Sequence, residues 1–335
     1  MAFPKVSIIV PCYNEQDAIH LLLGSLLAQT FPQQEMEVII ADGMSTDRTR
    51  KQIAAFQGAH PQLDIQIVDN TKRTIPAALN QAIQKAQGKF IVRLDAHSMP
   101  RPDYVARSVE ALEAGLGDNV GGVWEIRPGG PGRLARAIAV AAAHPLGVGD
   151  ARYRVGGVPD AIAVDTVPFG AFRRTLVEQI GLFDESLLSN EDYEFNMRAR
   201  QAGATIWLDP AIRCVYFARA SLPALARQYW RYGFWKLRML LRYPHTFRWR
   251  QLSGAFVLTW LGLGSLSVWF VFARWLLLAE AVIYISALII AGIQSAFKEH
   301  DFSLVFGVPM AIVVMHFSWG TAFLWSLVER LIFRK

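Results

Sequence analysis

The segment that decides the fold is VSIIVPCYNE (residues 6–15), in which an apolar, β-branched run gives way abruptly to polar residues. The run from Lys5 to Pro11 is typical of a strand buried on both faces of a parallel sheet. The polar residues after it begin an apolar-periodic helix, Ala18 to Ala28. The chain therefore opens as a strand, a loop and a helix, which is the first half of a β–α–β unit.

The same alternation continues as far as residue 94. We predict strands at 37–41, 65–69 and 90–94, and helices at 48–56 and 75–87. Alternating strands and helices predict an α/β domain with a Rossmann-like, doubly wound and mostly parallel sheet. Ligands of such sheets bind beyond the carboxyl ends of the strands.

Polar residues gather at those predicted strand ends: Tyr13, Asn14, Glu15, Asp42, Asp95 and His97. Three carboxylates in one crevice repel one another unless a cation or the donors of a ligand satisfy them. No GxGxxG pattern follows the first strand, so a diphosphate bound here would need a metal ion, for which carboxylates are suitable ligands. Taken singly, Asp42 also fits a turn before Gly43, and His97 fits a solvated loop.

Charge is distributed unevenly along the chain, whose formal net charge is +6. No acidic residue occurs between Asp209 and Glu280, and within that stretch arginines alternate with aromatic residues over 219–250. Basic and aromatic residues together can bind single-stranded nucleic acid. This segment runs directly into apolar sequence, however, which favours a membrane interface. We therefore expect no nucleic-acid partner.

Three apolar runs follow, at 252–273, 275–297 and 302–328, and each is long enough to cross a bilayer. The basic segment predicts that the near side of the first run is cytoplasmic. Three complete spans would leave Arg330, Arg334 and Lys335 on the far side, against the same rule. Either the tail is an exception or one run is interfacial or re-entrant.

The cysteine content and the amino terminus indicate the compartment. Cys12 and Cys214 cannot form a disulfide framework, which is typical of a reducing environment. The apolar run at 6–10 is too short for a signal peptide. We therefore predict a cytoplasmic domain at 1–218, an interfacial region at 219–250 and a membrane domain at 251–335.

Three segments taken together resemble a known family. VSIIVPCYNE, IIADGMSTDRT and FIVRLDAHSMP, in this order, resemble the family 2 inverting glycosyltransferases with the GT-A fold. Further along, NEDYEFN resembles the acceptor-side helix of that family, and QYWRY resembles its Q-x-x-R-W element. VDTVPFGAFRR and HFSWGTAF resemble the succinoglycan-type (ExoA-like) membrane enzymes. The likeness covers roughly residues 5–240 and departs from the family pattern at Ala41, His97 and Tyr232.

The resemblance implies roles for particular residues. The residues implied to bind the nucleotide sugar are Pro11, Tyr13, Glu15, Asp42, Arg73 and Asp95. Asp95 and His97 would hold a divalent metal, and the imidazole gives Mn²⁺ some preference over Mg²⁺. Arg73 also fits a solvated pair with Lys72.

The later motifs, NEDYEFN and QYWRY, imply which residues act on the acceptor. The resemblance makes Asp192 the catalytic base and Glu191 its neighbour, although a pair of carboxylates also suits the amino end of any helix. Gln228 and Arg231 would contact the diphosphate or the acceptor, and membrane headgroups are the alternative partner of Arg231.

The implied function is inverting transfer of a sugar, commonly glucose and carried by UDP, to a polyprenyl-diphosphate-linked saccharide in bacterial exopolysaccharide biosynthesis. The implied location is the inner membrane, where membrane lipids and other polysaccharide-assembly proteins are candidate partners. The alternatives are a polyprenyl- or dolichyl-phosphate sugar synthase, a processive synthase, and a non-catalytic membrane protein that binds nucleotide sugars. A transporter is excluded because the polar motifs lie outside the apolar half.

Overall fold

A computed structural model describes residues 4–157, 159–244 and 253–333. The end of the predicted interfacial segment (245–250), the start of the first apolar run and the carboxyl-terminal residues 334–335 lie outside the described residues. Two compact units are formed: Met1–Glu125 with Gly156–Tyr216, and Ile126–Val155 with Phe217–Lys335. Sequence patterns did not indicate that 126–155 joins the second unit.

The described elements follow one another along the chain as β1 (Val6–Cys12), α1 (Ile19–Leu27), β2 (Met36–Asp42), α2 (Thr49–Ala59), β3 (Asp64–Asp69), α3 (Ile75–Lys85), β4 (Phe90–Arg93), β5 (Ser98–Pro100), α4 (Tyr104–Glu113), β6 (Asn119–Arg127), α5 (Arg133–Ala141), α6 (Pro145–Val148), α7 (Arg152–Val155), β7 (Ile162–Ala163), β8 (Ala171–Arg173), α8 (Arg174–Ile180), α9 (Glu191–Gln201), β9 (Ile206–Phe217), α10 (Leu222–Arg242), α11 (Ser253–Leu266), α12 (Val271–Glu299) and α13 (Leu304–Phe333). The predicted α/β alternation up to residue 94 is confirmed, with ends that coincide or are shifted by up to three residues.

The sheet combines a parallel half with an antiparallel half. Its strand order is β3-β2-β1-β4-β8-β6-β9-β5, and β7 pairs with β9. β1, β2, β3 and β4 are parallel, whereas β8 joins β4 in the antiparallel direction. β1 and β2 are almost entirely buried, which is what continuous apolar strands require when helices cover both faces. The predicted parallel core is therefore confirmed, and the antiparallel strands complete a mixed sheet.

Register aligns the strand ends that matter for ligands. Cys12 pairs with Asp42, and Asp42 pairs with Asp69, so β1, β2 and β3 end level with one another. Ile9 pairs with Arg93, which ends β4 close to the same edge. The polar residues that follow these strands consequently emerge at one edge of the sheet.

The second unit is helical and has its own apolar core. Residues of α5, α10, α12 and α13 contribute to that core. Helix α10 approaches α13 closely at Gly233, where an added Cβ would collide with the carbonyl oxygen of Trp319. A close helix–helix contact through glycine is typical of tightly packed apolar helices.

Two helices of this unit, Val271–Glu299 and Leu304–Ile332, are long and apolar enough to cross a membrane. The described part of α11, Ser253–Leu266, has 14 residues, or about 21 Å at 1.5 Å per residue. The division of the apolar sequence differs from the one expected, because the chain turns at 267–270 and not at Arg274. Arg274 instead lies inside α12 and donates from Nε to the Ser267 carbonyl oxygen at 2.6 Å, satisfying a carbonyl left unpaired at the end of α11.

Candidate active site

Three loops with unusual backbone geometry follow the parallel strands. Asn14 after β1, Met44 after β2 and Arg73 after β3 have φ values of 53°, 60° and 55°. Left-handed backbone costs a non-glycine residue about 1–3 kcal/mol and is concentrated at functional sites. These loops therefore mark the predicted edge of the sheet as the candidate site.

Hydrogen bonds lock the first two loops together. The backbone N–H of Asn14 donates to Ser45 Oγ at 2.8 Å, and the N–H of Thr46 donates back to Asn14 Oδ1 at 2.9 Å. The N–H of Glu15 donates to Thr49 Oγ1 at 2.8 Å. Small polar residues after β2 thus fix the conformation of the loop after β1.

Asp42 lies at the centre of this network and its side chain is 0% exposed. Ser45 donates to it from Oγ at 2.5 Å and from the backbone N–H at 2.9 Å. Arg50 donates from Nε at 2.6 Å and extends Nη2 to Asp69, at the end of the next strand. Asp42 thus holds the loop and the β2–β3 edge together. Its predicted contact with the nucleotide stays a prediction.

Tyr13 and Arg73 form an exposed aromatic–cation pair beside this network. The guanidinium of Arg73 lies 5.9 Å from the centroid of the Tyr13 ring, within cation–π range. Gly43 allows the ring to lie against the backbone, since a Cβ there would be 3.0 Å from Tyr13 Cδ2. Pro11 lies opposite the fully buried Ala41 in the β1–β2 register, a position where an acidic side chain would have to be buried.

His97 and Glu15 face one another at the end of the fourth parallel strand. His97 Nδ1 lies 3.0 Å from Glu15 Oε1, so the carboxylate orients the imidazole. An orienting carboxylate behind a histidine is the usual support of a metal ligand. Glu15, predicted to bind the nucleotide, thus also positions the residue predicted to bind the metal.

Asp95 has the remaining features expected of a metal ligand. Its Oδ1 atom is buried and has no hydrogen-bond partner among the described residues. No group of three or more His, Cys, Asp or Glu side chains able to hold a metal occurs in the described part of the chain. One carboxylate oxygen and one oriented imidazole still fit a divalent ion whose other ligands come from a diphosphate.

Arg93 connects this edge of the sheet to α9. Its side chain is buried, and Nη2 lies 3.0 Å from Glu191 Oε1 and 3.6 Å from Asp95 Oδ1. Burial by itself lowers the pKa of Arg93, but the carboxylates of Asp95, Glu191 and Asp192 outweigh it and raise the pKa further above its ordinary value. The guanidinium is therefore a permanent buried cation among three carboxylates.

The two acidic residues that open α9 differ in environment. Burial raises the pKa of Glu191, with Arg93 opposing that shift and Asp192 adding to it. Glu191 is 5% exposed, whereas Asp192 is half-buried and accepts from the N–H of Tyr193 at 2.7 Å. Glu191 and Asp192 are the first two residues of α9, as the alternative interpretation of this pair requires. Of the pair, Asp192 is the residue accessible to a substrate.

Gln228 and Arg231 belong to the second unit, on α10. Gln228 is buried and donates to the hydroxyl of Tyr232 at 3.0 Å, whereas Arg231 is exposed. Their predicted contact with a diphosphate or an acceptor stays a prediction. Arg238, further along α10, pairs with Glu329 at 2.7 Å and stacks on Phe234.

Sequence patterns missed Arg93 and Arg50. A signal for Arg93 existed, because a cation inside the apolar run FIVRL is rare in a buried strand unless it is paired. Arg50 carried no such signal, since a basic residue near the start of an amphipathic helix is ordinary. Only the register of β2 and β3 brings its two carboxylate partners together.

A mixed sheet with a parallel half, as in this chain, is the fold of the GT-A class of glycosyltransferases. The profile of the family described as Glycosyl transferase family 2 matches residues 7–181. The match covers more than half of the chain, so this chain belongs to glycosyl transferase family 2, and the resemblance drawn from its motifs is confirmed.

Relatives span nearly the whole chain. The succinoglycan biosynthesis protein ExoA of Rhizobium meliloti is 29% identical over 326 residues, covering 96% of this chain and 94% of the relative. The dolichyl N-acetyl-α-D-glucosaminyl phosphate 3-β-D-2,3-diacetamido-2,3-dideoxy-β-D-glucuronosyltransferase of Methanococcus voltae is 25% identical over 341 residues, covering 97% of each chain.

Among solved structures, the mannosyltransferase PcManGT of Pyrobaculum calidifontis, in complex with GDP-Man and Mn²⁺, is similar in fold. The TM-score is 0.59 at 21% identity, over 100% of this chain and 89% of that one. At this level of identity the likeness concerns the fold alone.

Proposed function

We propose that this chain is an inverting glycosyltransferase of bacterial exopolysaccharide biosynthesis. It moves a sugar, expected to be glucose, from a nucleoside diphosphate donor to a polyprenyl-diphosphate-linked saccharide. One observation carries the proposal: Arg93 contacts both Asp95, after a parallel strand, and Glu191, at the start of α9. This contact supports placing the carboxylate expected on the donor side and the pair expected on the acceptor side in one site. Family membership and the likeness to a succinoglycan biosynthesis protein support the same reaction.

Inversion requires one in-line displacement in which a base accepts the proton of the acceptor hydroxyl. We assign the base to Asp192, because it is accessible while Glu191 is buried against Arg93. The hydroxyl oxygen attacks the anomeric carbon, its proton passes to Asp192, and the bond to the diphosphate breaks. The nucleoside diphosphate leaves with the electron pair.

The residues proposed to bind the donor nucleotide are those around the first loops: Pro11, Tyr13, Glu15, Asp42, Arg73 and Asp95. The exposed ring of Tyr13 offers an aromatic face to a base, and the guanidinium beside it offers two parallel donors to phosphate oxygens. Uridine diphosphate is the carrier we expect. The fold relative PcManGT was solved with GDP-Man, so guanosine diphosphate is the carrier to test against it.

Asp95 and His97 would hold a divalent ion, Mn²⁺ or Mg²⁺, together with oxygens of the donor diphosphate. When bound, the ion stabilises the charge that develops on the leaving diphosphate. The buried Oδ1 of Asp95, which lies 3.6 Å from Arg93 Nη2 and has no hydrogen bond among the described residues, and the orientation of His97 by Glu15 support this assignment. Imidazole favours Mn²⁺.

The second unit, which contains α12 and α13, gives the enzyme access to a lipid-linked acceptor. With α12 and α13 as the two spans and the first apolar run placed at the interface, Arg330 returns to the side on which α12 begins. This topology obeys the positive-inside rule and removes the conflict that three spans create. We propose a multi-pass inner-membrane protein with its α/β unit in the cytoplasm and with Gln228 and Arg231 at the acceptor.

The decisive experiment incubates membranes containing the full chain with radiolabelled UDP- and GDP-sugars and polyprenyl-diphosphate-linked saccharides. We expect label in the lipid-linked oligosaccharide. Asp192→Asn should abolish transfer and leave UDP binding intact, whereas Asp64→Asn, an exposed position at the start of β3, should behave as wild type. Label in a one-sugar lipid phosphate, or undiminished transfer by Asp192→Asn, would overturn the assignment.

Metal dependence is tested separately by chelation. Activity should disappear with EDTA and return with Mn²⁺ more fully than with Mg²⁺, and His97→Asp should shift that preference toward Mg²⁺. Full activity after chelation would refute a metal-dependent reaction. Equal activity with both ions, unchanged in His97→Asp, would refute the metal role of the imidazole.

A further inference from the structure

A buried cation is held inside the sheet next to the proposed reaction site. Arg93 is the last residue of β4 and is 6% exposed. It contacts Glu191 and Asp95 through the same nitrogen, Nη2, at 3.0 and 3.6 Å. Its Nε and Nη1 atoms are buried and have no hydrogen-bond partner among the described residues.

Stability does not explain this arrangement. Removing a guanidinium and a carboxylate from water costs several kcal/mol per ion, and replacing such a pair with apolar residues is often neutral or stabilising. Buried donors without partners add to the cost. An apolar residue would also continue the run FIVRL, which is otherwise suited to a buried strand.

The geometry of the contacts indicates what the arginine does. Asp95 follows β4, whereas Glu191 and Asp192 begin α9, and the side chain of Arg93 spans these two elements. A guanidinium is a planar and rigid group, so it fixes the relative position of the carboxylates that it contacts. It also holds Glu191 in the protein interior, which leaves Asp192 as the accessible acid.

We infer that Arg93 is a positioning residue that sets the catalytic base Asp192 against the donor-side carboxylate Asp95 by holding Glu191. The inference rests on the proposed function and assigns Arg93 no contact with either substrate. Replacing Arg93 should therefore lower kcat and leave nucleotide affinity unchanged, because only the relative placement of base and donor is lost.

The test compares three variants of the full chain in membranes, with the donor and acceptor that give transfer in the assay above. Arg93→Met should lower kcat by about 100-fold, the usual effect of a misplacement near 1 Å. Binding of UDP, measured by calorimetry on the purified full chain, should be unchanged. Arg93→Lys, which keeps the charge and loses the planar fork, should recover part of kcat.

The double variant Arg93→Met/Glu191→Met separates positioning from stability. Removing Arg93 and Glu191 together leaves neither half of this buried ion pair alone, and only Asp95 loses a cation, so most of the melting temperature lost in Arg93→Met should return. A positioning role predicts that kcat stays low in the double variant. Recovery of wild-type kcat together with the melting temperature would overturn the inference, as would wild-type kcat in Arg93→Met.

The two proposals fail in distinguishable ways. Absence of transfer by the wild-type chain with every donor and acceptor overturns the proposed function and the inference with it. Transfer by the wild-type chain with unaltered kcat in the Arg93 variants overturns the inference alone.

Discussion

Replacing Arg50 with methionine removes the side chain that joins the ends of β2 and β3. Two contacts are lost, one to Asp42, whose side chain is 0% exposed, and one to Asp69, whose side chain is 59% exposed. A hydrogen bond to a buried charged group contributes about 1.5–3 kcal/mol, and an exposed ion pair contributes about 0–1 kcal/mol. In the variant, Asp42 still accepts both hydrogen bonds from Ser45, so the loss of free energy should lie toward the lower end of these ranges. We expect a loss of about 2 kcal/mol in the free energy of unfolding.

The assay is thermal unfolding of the purified full chain, followed by a signal from the α/β unit. A loss of about 2 kcal/mol should lower its Tm by about 4–8 °C, since each kcal/mol shifts a domain of this size by about 2–4 °C. Lys51→Met is the matched control, because it removes an exposed positive charge from the next position of α2. Equal Tm values for Arg50→Met and Lys51→Met would refute the reasoning.

Two further predictions concern packing and pH. Gly233→Ala should destabilise the second, helical unit by about 1–3 kcal/mol, because its Cβ would collide with the Trp319 carbonyl oxygen. Gly262→Ala is the matched control: it has open space around it and should raise the melting temperature slightly. Hydrogen bonding from Lys72 lowers the pKa of Glu185 below its ordinary 4.5, so this carboxylate stabilises the fold above that pH and ceases to do so as the pH falls through its folded-state pKa. The Tm of the wild type should therefore fall more on acidification from about pH 5 to pH 3 than that of Glu185→Gln, and parallel curves would contradict the assignment.

From the sequence, only those site residues could be predicted that a local sequence pattern marks. Asp42 and Asp95 were recognisable because each stands at the end of a mainly apolar strand, and such strands in a doubly wound sheet end at a common edge. Arg50 was not recognisable, because its partners Asp42 and Asp69 are separated along the chain and meet only through strand register. The segment 126–155 was likewise assigned to the first domain by position, whereas it packs with the later helices.

The sequence by itself determined the parallel α/β core, the apolar helices and the family, because hydrophobic periodicity and ordered motifs are local properties of the chain. Tertiary structure alone decided which acid of the Glu191–Asp192 pair is accessible. Burial depends on what packs against the first turn of α9, and there Arg93, nearly a hundred residues earlier, holds Glu191 inside the protein. Long-range contacts of this kind leave no periodic signal, so the family motif could point to Asp192 as the base, but the difference in burial between Asp192 and Glu191 exists only in the folded chain.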